Sequence, residues 1–471
     1  MCSFLFTTLD IINLVYINFF LKFRGPDYTN FYKKKYKNLI FSFVHNLLNI
    51  TGEITYQPYF GKSNNEIQDN DIICIYNGEI YNYKDFGDYK TDGCCIIDVY
   101  KKYGENFTSK LDGEFAILLV DLSKELIIIS SDVFATKPIW YSIENGNIGV
   151  ASYKSGLERL NFNNIIKLQA NKTIFFNFNF NKINEKEVYS FDLNQYKNSY
   201  DDCINAFDQS IIKRSKNMKY PIFVCLSSGY DSGAICASLL KNNIPFNTYT
   251  ILADENIDVL NKRIQRNNVP HEFINLTKQQ FNEQLQYIKQ NAEESNYKKY
   301  PDNSNLSNLN GMKMTDDQAA SGVSYIFKLA SSRNQRIYLS GQGADEICSD
   351  YGFNGNKIID HSGFGGLYPK NLSDIFPKSS EEESGKESKW YSFYEGTQKS
   401  YLSKEEHISG LHGIEGRYPF LDKNFVQEFL WLAPELKNKK YKSIIDEYIK
   451  RQNYPFDKGK KIGFNAAKNL L

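Results

Sequence analysis

A chain of 471 residues is longer than one hydrophobic core organises, so it reads as two or more domains. Hydrophobic residues at 41%, charged residues at 24% and only 12 prolines describe a packed globular protein and exclude disorder, collagen and coiled coil. Lys plus Arg at 56 against Asp plus Glu at 55 leave a net charge of +1, without the basic footprint of a nucleic-acid binder.

Residues 3–8 predict a buried strand and residues 10–22 a helix that ends at Arg24-Gly25-Pro26-Asp27. The apolar first 23 residues are read this way because Asp10, Asn13 and Asn18 interrupt them, no basic segment precedes them and no small-residue cleavage site follows. Neither a signal peptide nor a membrane span is expected. From 39 to 180, short β-branched and aromatic runs such as 72–76, 115–120 and 125–130 predict a half built mostly of sheet. From about 200, strands at 221–226, 246–252, 271–276 and 336–340 alternate with helical stretches, which predicts βαβ units and a parallel sheet covered on both faces. The boundary falls near 185–200. Two polar stretches, 297–317 and 378–389, are expected as mobile loops, either surface insertions or an active-site lid. Eight cysteines with no CxxC spacing point to a reducing, cytoplasmic compartment.

The sharpest local signal is the heptad Leu226-Ser227-Ser228-Gly229-Tyr230-Asp231-Ser232, which follows an apolar strand and opens a helix. Small residues there let backbone N–H groups approach an anion, and the helix N-terminus adds unpaired donors. It lacks the lysine of a P-loop, so Asp231 suggests a Mg²⁺ bridging to pyrophosphate. A second small and acidic loop, Ser340 to Glu346, follows another parallel strand. Loops at the carboxyl ends of neighbouring parallel strands converge on one crevice, so the two are expected to share a nucleotide. The plainer reading makes the glycines ordinary turn residues and Asp345 a helix cap.

Cys2, Arg24-Gly25-Pro26-Asp27, Asn77-Gly78-Glu79-Ile80-Tyr81-Asn82, both loops and Arg417-Tyr418-Pro419-Phe420-Leu421-Asp422 stand in an order that resembles glutamine-hydrolysing asparagine synthetases. The resemblance spans essentially the whole chain. It implies an α+β N-terminal-nucleophile hydrolase sandwich (αββα) over residues 2–190 and an α/β parallel-sheet ATP-pyrophosphatase domain over 200–471. Within the first, it implies that Cys2, freed of Met1, attacks the glutamine amide with its own α-amine as base. Asn77 and Gly78 would form the oxyanion hole, and Glu79 and Asp92 would hold the α-amino group. Within the second, it places ATP on Cys225, Leu226, Ser227, Ser228, Gly229, Asp231, Ser232, Ile251, Ser340 and Gly341. Magnesium would fall to Asp231 and Asp345, and Lys461 would stand near the pyrophosphate. Expected cofactors are ATP and Mg²⁺. Expected partners are glutamine, aspartate or another small carboxylate, and a second copy in a homodimer, with no nucleic acid and no membrane.

The sequence departs from the family at four places. Leu47 stands where an arginine reads the glutamine carboxylate, which predicts weak glutamine binding. Ser228 and Tyr230 replace a glycine and a leucine in the first loop. Gln342 stands where the family has a glutamate, and a neutral amide cannot act as a base. No arginine at 317–321 matches the one that reads aspartate, so another acceptor carboxylate, or a non-catalytic binding role, stays open beside asparagine synthesis. His45, near Leu47, is expected to be structural.

Overall fold

The computed structural model describes residues 1–61, 71–252, 255–294, 296–297, 312–349, 364–377 and 389–457. Most of the two predicted polar loops lies outside these residues.

The first half contains two antiparallel sheets of six strands each. One has the order β10-β8-β9-β1-β3-β2 and is built from β1 (Ser3–Thr7), β2 (Tyr28–Tyr36), β3 (Leu39–Leu47), β8 (Trp140–Glu144), β9 (Asn147–Ala151) and β10 (Ile166–Lys167). The other has the order β12-β11-β7-β6-β5-β4, from β4 (Tyr59–Gly61), β5 (Ile72–Ile80), β6 (Gly113–Asp121), β7 (Leu126–Ser131), β11 (Lys172–Asn177) and β12 (Lys182–Glu187). Side-chain alternation along each strand decides the layers. Phe4, Phe6, Phe41 and Phe43 meet Ile73, Ile75, Leu118 and Ile129 in a core between the sheets. The residues between them turn outward. Leu5 and Val44 pack with α1 (Leu14–Ile17) and α3 (Lys154–Glu158), whereas Cys74, Tyr76, Ile117 and Leu119 pack with α2 (Ile96–Tyr103). Helix, sheet, sheet, helix is the predicted αββα sandwich.

The helix predicted over 10–22 is shorter. Asn13 caps it by accepting the Tyr16 N–H at 3.0 Å, and Asn18 leaves it to exchange two amide hydrogen bonds with Asn46 of β3, at 2.8 and 2.9 Å. Asparagine side chains that find such partners compete with helix propagation. Gly25 is required just beyond, because a Cβ there would lie 2.1 Å from the Asn46 carbonyl oxygen.

The second half carries a five-stranded, wholly parallel sheet in the order β15-β14-β13-β18-β19. Its strands are β13 (Ile222–Cys225), β14 (Phe246–Ile251), β15 (His271–Ile274), β18 (Ile337–Leu339) and β19 (Glu415–Arg417), while β16 (Asn296–Tyr297) and β17 (Met312–Lys313) form a separate ribbon. Ile222 and Val224 face α4 (Asp201–Arg214), α5 (Tyr230–Lys241), α6 (Ile257–Asn267), α9 (Ala344–Cys348), α11 (Lys423–Trp431) and α13 (Ser443–Arg451). Phe223 faces the other side, with α7 (Lys278–Asn291), α8 (Gln318–Ser332) and α10 (Gly396–Leu411). A short α12 (Pro434–Lys437) precedes α13. Strand order reverses between β13 and β18, so both predicted loops open on the switch-point crevice.

The strand β19 was not predicted, since Glu415-Gly416-Arg417 has none of the β-branched or aromatic residues that mark the other strands. It forms because Ile337–Leu339 pairs with it, and it buries both charged side chains. Those charges belong to a network that joins the two halves. Arg417 pairs with Glu79 of β5 at 3.0 Å and with Glu415 at 2.7 Å. Arg214 pairs with Glu114 of β6 at 2.8 Å and with Asp422 at 2.7 Å. Arg24 pairs with Glu406 of α10 at 2.7 Å, and Lys137 links Glu406 to Glu114 at 3.1 and 3.4 Å. Removing one partner of a buried ion pair leaves an uncompensated charge, at about 3–5 kcal/mol. Arg214→Met should therefore lower the urea midpoint of the full chain, by less than the full cost of an unpaired charge because Lys137 still meets Glu114 and Lys213 still meets Asp422; an unchanged midpoint would show that Arg214 adds nothing to stability.

Candidate active sites

Cys2 stands at the mouth of β1, where Arg24 Nε donates to its carbonyl at 3.1 Å. Its Sγ accepts the Leu48 N–H at 3.4 Å. The thiol opens on a pocket whose walls include Leu47, Thr51, Gly78, Glu79, Asp92 and, from β19, Glu415. Asn77 is fully buried on β5, and neither Nδ2 nor Oδ1 has a partner among the described residues. A buried amide left without partners costs free energy unless a ligand meets it. Gly78 is required next to it: its φ is +147°, and a Cβ would lie 2.0 Å from the Glu114 carbonyl oxygen.

Two carboxyls give this pocket its field. Glu79 Oε2 accepts from Thr51 Oγ1 at 3.0 Å and meets Arg417, while Asp92 accepts from the Tyr76 hydroxyl, the Ile80 N–H at 2.8 Å and Thr91 Oγ1 at 3.0 Å. Burial, then repulsion from Asp92, raises Glu79 well above the usual carboxylate range, and burial raises Asp92 as well. A pair of carboxyls held back from ionising favours a cation such as an α-ammonium. No lysine or arginine lines the pocket among the described residues, and Leu47 forms that part of the wall. With Met1 in place, burial pushes the Cys2 thiol up to about 11 and the Met1 α-amine, 3.6 Å from Glu415 Oε2, down to about 6. His45 is buried in β3, pushed down to about 3 and neutral, with Nε2 unpartnered among the described residues. It takes no part in the pocket.

The second constellation gathers at the carboxyl ends of β13, β14 and β18. The two predicted loops touch: a Cβ on Gly341 would lie 2.9 Å from the Asp231 Cβ. Within the first loop, Ser232 Oγ sits 2.8 Å from Ser227 Oγ and accepts the Ser227 N–H at 3.0 Å. Arg263 of α6 ties back the carbonyls of Ser227 and Gly229 at 2.5 and 2.8 Å, a role the sequence did not reveal. The turn binds an anion: Ser228 gives its N–H at 2.6 Å and its hydroxyl at 2.5 Å to the Glu255 carboxylate. Cys225 and Leu226 continue the end of β13, and Ile251 is buried at the end of β14.

Asp231 and Asp345 come together as predicted, but a lysine stands between them. Lys442 Nζ lies 2.6 Å from Asp231 Oδ1 and 2.6 Å from Asp345 Oδ1, with its side chain 2% exposed. Burial disfavours its charge, yet the two carboxylates hold the ammonium well above its ordinary value. Asp345 does not cap α9, whose N-cap is Gly343 at φ +95° without a side-chain bond; it accepts from the Tyr441 hydroxyl at 2.9 Å instead. Lys442 was invisible in a lysine-rich run that reads as solvated surface, whereas Lys461 lies outside the described residues. Among those residues no cluster of three or more metal-ligating side chains occurs. Two carboxylates facing one positive group still fit Mg²⁺, which takes oxygen ligands from one or two acids and keeps its waters. No helix among the described residues is long and apolar enough to cross a membrane.

A sandwich that presents a cysteine over a pocket with two buried carboxyls, joined to a parallel sheet with an anion-binding turn at its switch point, defines a glutamine amidotransferase coupled to a ligase. Residues 13–196 match the glutamine amidotransferase domain, and residues 205–455 match asparagine synthase. The chain belongs to the asparagine synthase family. It is 24% identical to the glutamine-hydrolysing asparagine synthetases of Mesocricetus auratus and Homo sapiens, over 92% of this chain and 76% of theirs. The Gallus gallus enzyme is 26% identical over 80% of this chain and 68% of its own. Among solved structures, the allosteric regulatory enzyme of purine biosynthesis matches 58% of this chain and 65% of its own at 12% identity and a TM-score of 0.34. That score carries no argument, and the fold is read from the sheets themselves.

Lys442→Met should remove the ammonium that lies between Asp231 and Asp345. Millimolar Mg²⁺ should then raise the thermal midpoint of the variant more than that of the wild type, because a ligand bound only by the folded state stabilises it. Equal shifts in a melting assay would remove the two carboxylates as a magnesium site.

Proposed function

We propose that the chain makes asparagine from aspartate, glutamine and ATP through an acyl-adenylate, with residues 2–190 releasing ammonia and 200–471 consuming it. The observation that carries this reading is the closeness of the two sites through one strand. Glu415 of β19 lines the Cys2 pocket, and two residues on, the Arg417 carbonyl accepts the N–H of Ser340 in the second loop at 2.9 Å. β19 thus runs from the wall of the Cys2 pocket to the second loop, the direction that ammonia freed at Cys2 has to take.

In the first site, removal of Met1 would expose the α-amine of Cys2 to take the thiol proton. Sγ then attacks the amide carbon, and the Leu48 N–H steadies the sulfur. The unpartnered Asn77 side chain meets the oxyanion together with the Gly78 N–H, where a donor of this kind contributes about 10²–10³-fold. Glu79 and Asp92 hold the α-ammonium.

In the second site, the turn at Ser227–Ser232 exchanges the Glu255 carboxylate for phosphate, and Cys225, Leu226, Ile251, Ser340 and Gly341 border the nucleotide. Asp231 and Asp345 would hold Mg²⁺, which neutralises charge on the departing pyrophosphate when bound. Lys442 keeps a positive group beside those phosphates. Activation is needed because a carboxylate oxygen is a poor leaving group; its attack on the α-phosphate expels pyrophosphate and forms a mixed acyl-phosphate anhydride, from which AMP can depart.

An aspartate-dependent exchange of labelled pyrophosphate into ATP tests the adenylation directly. Asp231→Asn should abolish it while leaving glutamine hydrolysis in place; exchange at wild-type rate in that variant, or exchange with other carboxylates but not aspartate, would overturn the site or the substrate. Cys2→Ala should lose glutamine-dependent synthesis and retain synthesis from ammonium salts. Leu47→Arg supplies the missing carboxylate partner, worth about 1.5–3 kcal/mol for a charged hydrogen bond. The glutamine KM should fall by about 10- to 100-fold, and a KM that does not move would place carboxylate recognition elsewhere.

A further inference from the structure

Glu405 lies on α10 immediately before Glu406 of the interdomain network, yet its carboxyl serves the other site. Its Oε2 accepts from Ser340 Oγ at 2.5 Å. Ser340 is fully buried at the end of β18, and the same Oγ accepts the Gln342 N–H at 3.0 Å. One hydroxyl thus couples the Glu405 carboxyl to the turn that carries Gln342, whose own Nε2 is buried without a partner among the described residues.

The groups facing Glu405 come from several elements. Lys404 and Glu406 flank it on α10, Lys137 approaches from the first half, and the Cys225 thiol and the Tyr338 and Tyr418 hydroxyls lie opposite. The two lysines are committed elsewhere, Lys404 to Asp317 at 2.8 Å and Lys137 to Glu406 at 3.1 Å. Among the described residues, no cation pairs directly with Glu405. Burial therefore prevails over the Ser340 hydrogen bond and Lys404, and raises the carboxyl to about 7. A base poised near the working pH is the most effective one.

Ammonia that adds to an activated acyl carbon gives a nitrogen that still carries its extra proton. Unless that proton leaves, the new C–N bond breaks again as readily as the bond to phosphate. Gln342 offers only an amide at the turn. We propose that Glu405 is the general base of the amide-forming step, taking one proton from the attacking nitrogen. As the N–C bond forms, an N–H proton passes to the Glu405 carboxylate. The acyl C–O bond then breaks with its electron pair on the departing AMP, and the Glu405 carboxyl returns its proton to solvent.

This inference rests on the acyl-adenylate reading, and the test separates the two. Wild type, Glu405→Gln, Gln342→Glu and the double variant are assayed as full chains with aspartate, ATP, Mg²⁺ and excess ammonium chloride. Pyrophosphate exchange reports adenylation, and amide formed per free ammonia between pH 6 and 9 reports the second step. Wild-type amide formation should rise with pH and level off above about 7, since the base must be deprotonated to act. Glu405→Gln should keep exchange within about threefold, lose about 10²–10⁴-fold in amide formation and lose the rise near 7. Adding Gln342→Glu should recover at least tenfold by returning a carboxylate to the same turn. Wild-type amide formation or an unchanged pH rise in Glu405→Gln overturns the proposal, and so does parallel loss of exchange, which would make Glu405 a positioning residue. No exchange with aspartate in the wild type defeats the adenylation reading, and this inference falls with it.

Discussion

The structure depends on a set of charges taken out of water between its two halves. Arg417, Arg214, Arg24 and Lys137 face Glu79, Glu114, Glu406, Glu415 and Asp422 with almost no exposure. Such ions are tolerated only when each is paired and hydrogen-bonded, so the two sheet systems cannot slide or separate without exposing opposite charges to an apolar interior. A hydrophobic seam would hold them as tightly but would permit many registers. The ion pairs admit one, and they fix the distance between the Cys2 pocket and the nucleotide crevice.

The same network sets the electrostatics of both sites. Arg417 opposes the charge that Glu79 and Asp92 build up in the Cys2 pocket, and Glu415 faces the α-amine of the first residue. On the other side of β19, Glu406 anchors α10 to Arg24 and Lys137, which leaves Glu405 turned toward Ser340. Two successive glutamates of one helix thus have opposite fates. Glu406 is held below the usual carboxylate range despite burial, by Lys137 and Arg24, whereas Glu405 has no direct cation and rises. Proton affinity at the crevice is decided by which side of the helix meets the network.

The nucleotide crevice is occupied by the protein's own charges. Glu255 takes the N–H and hydroxyl of Ser228 in the first turn, and Lys442 meets the two aspartates. Small residues, a braced backbone and a buried counter-ion make the cradle, and an incoming phosphate has to replace the Glu255 contact at Ser228. That exchange of one anion for another costs less than desolvating bare N–H groups.

Local pattern alone determined a good deal about this protein. Short apolar runs such as 3–8 and 72–76 marked the strands of the sandwich, the alternation of strands and helices after 200 marked the parallel sheet, and Ser227–Ser232 and Ser340–Glu346 marked its crevice, because each feature lies within a few consecutive residues. Gly78, Glu79 and Asp92 stand with Cys2 around one pocket, Asn77 is buried beside Gly78 on the same strand, and Asp231 and Asp345 meet on Lys442. What tertiary structure decided was every property set by a distant partner. The helix over 10–22 shortened because Asn18 found Asn46, twenty-eight residues on. Glu-Gly-Arg at 415–417 became a strand because β18 lay open beside it. Lys442, Arg263, Glu255 and Glu405 acquired their places only through contacts with residues far along the chain, and nothing in their own neighbourhoods distinguishes them from solvated surface. A charged side chain's role is fixed by what it is buried against, and burial is a property of the fold rather than of the segment.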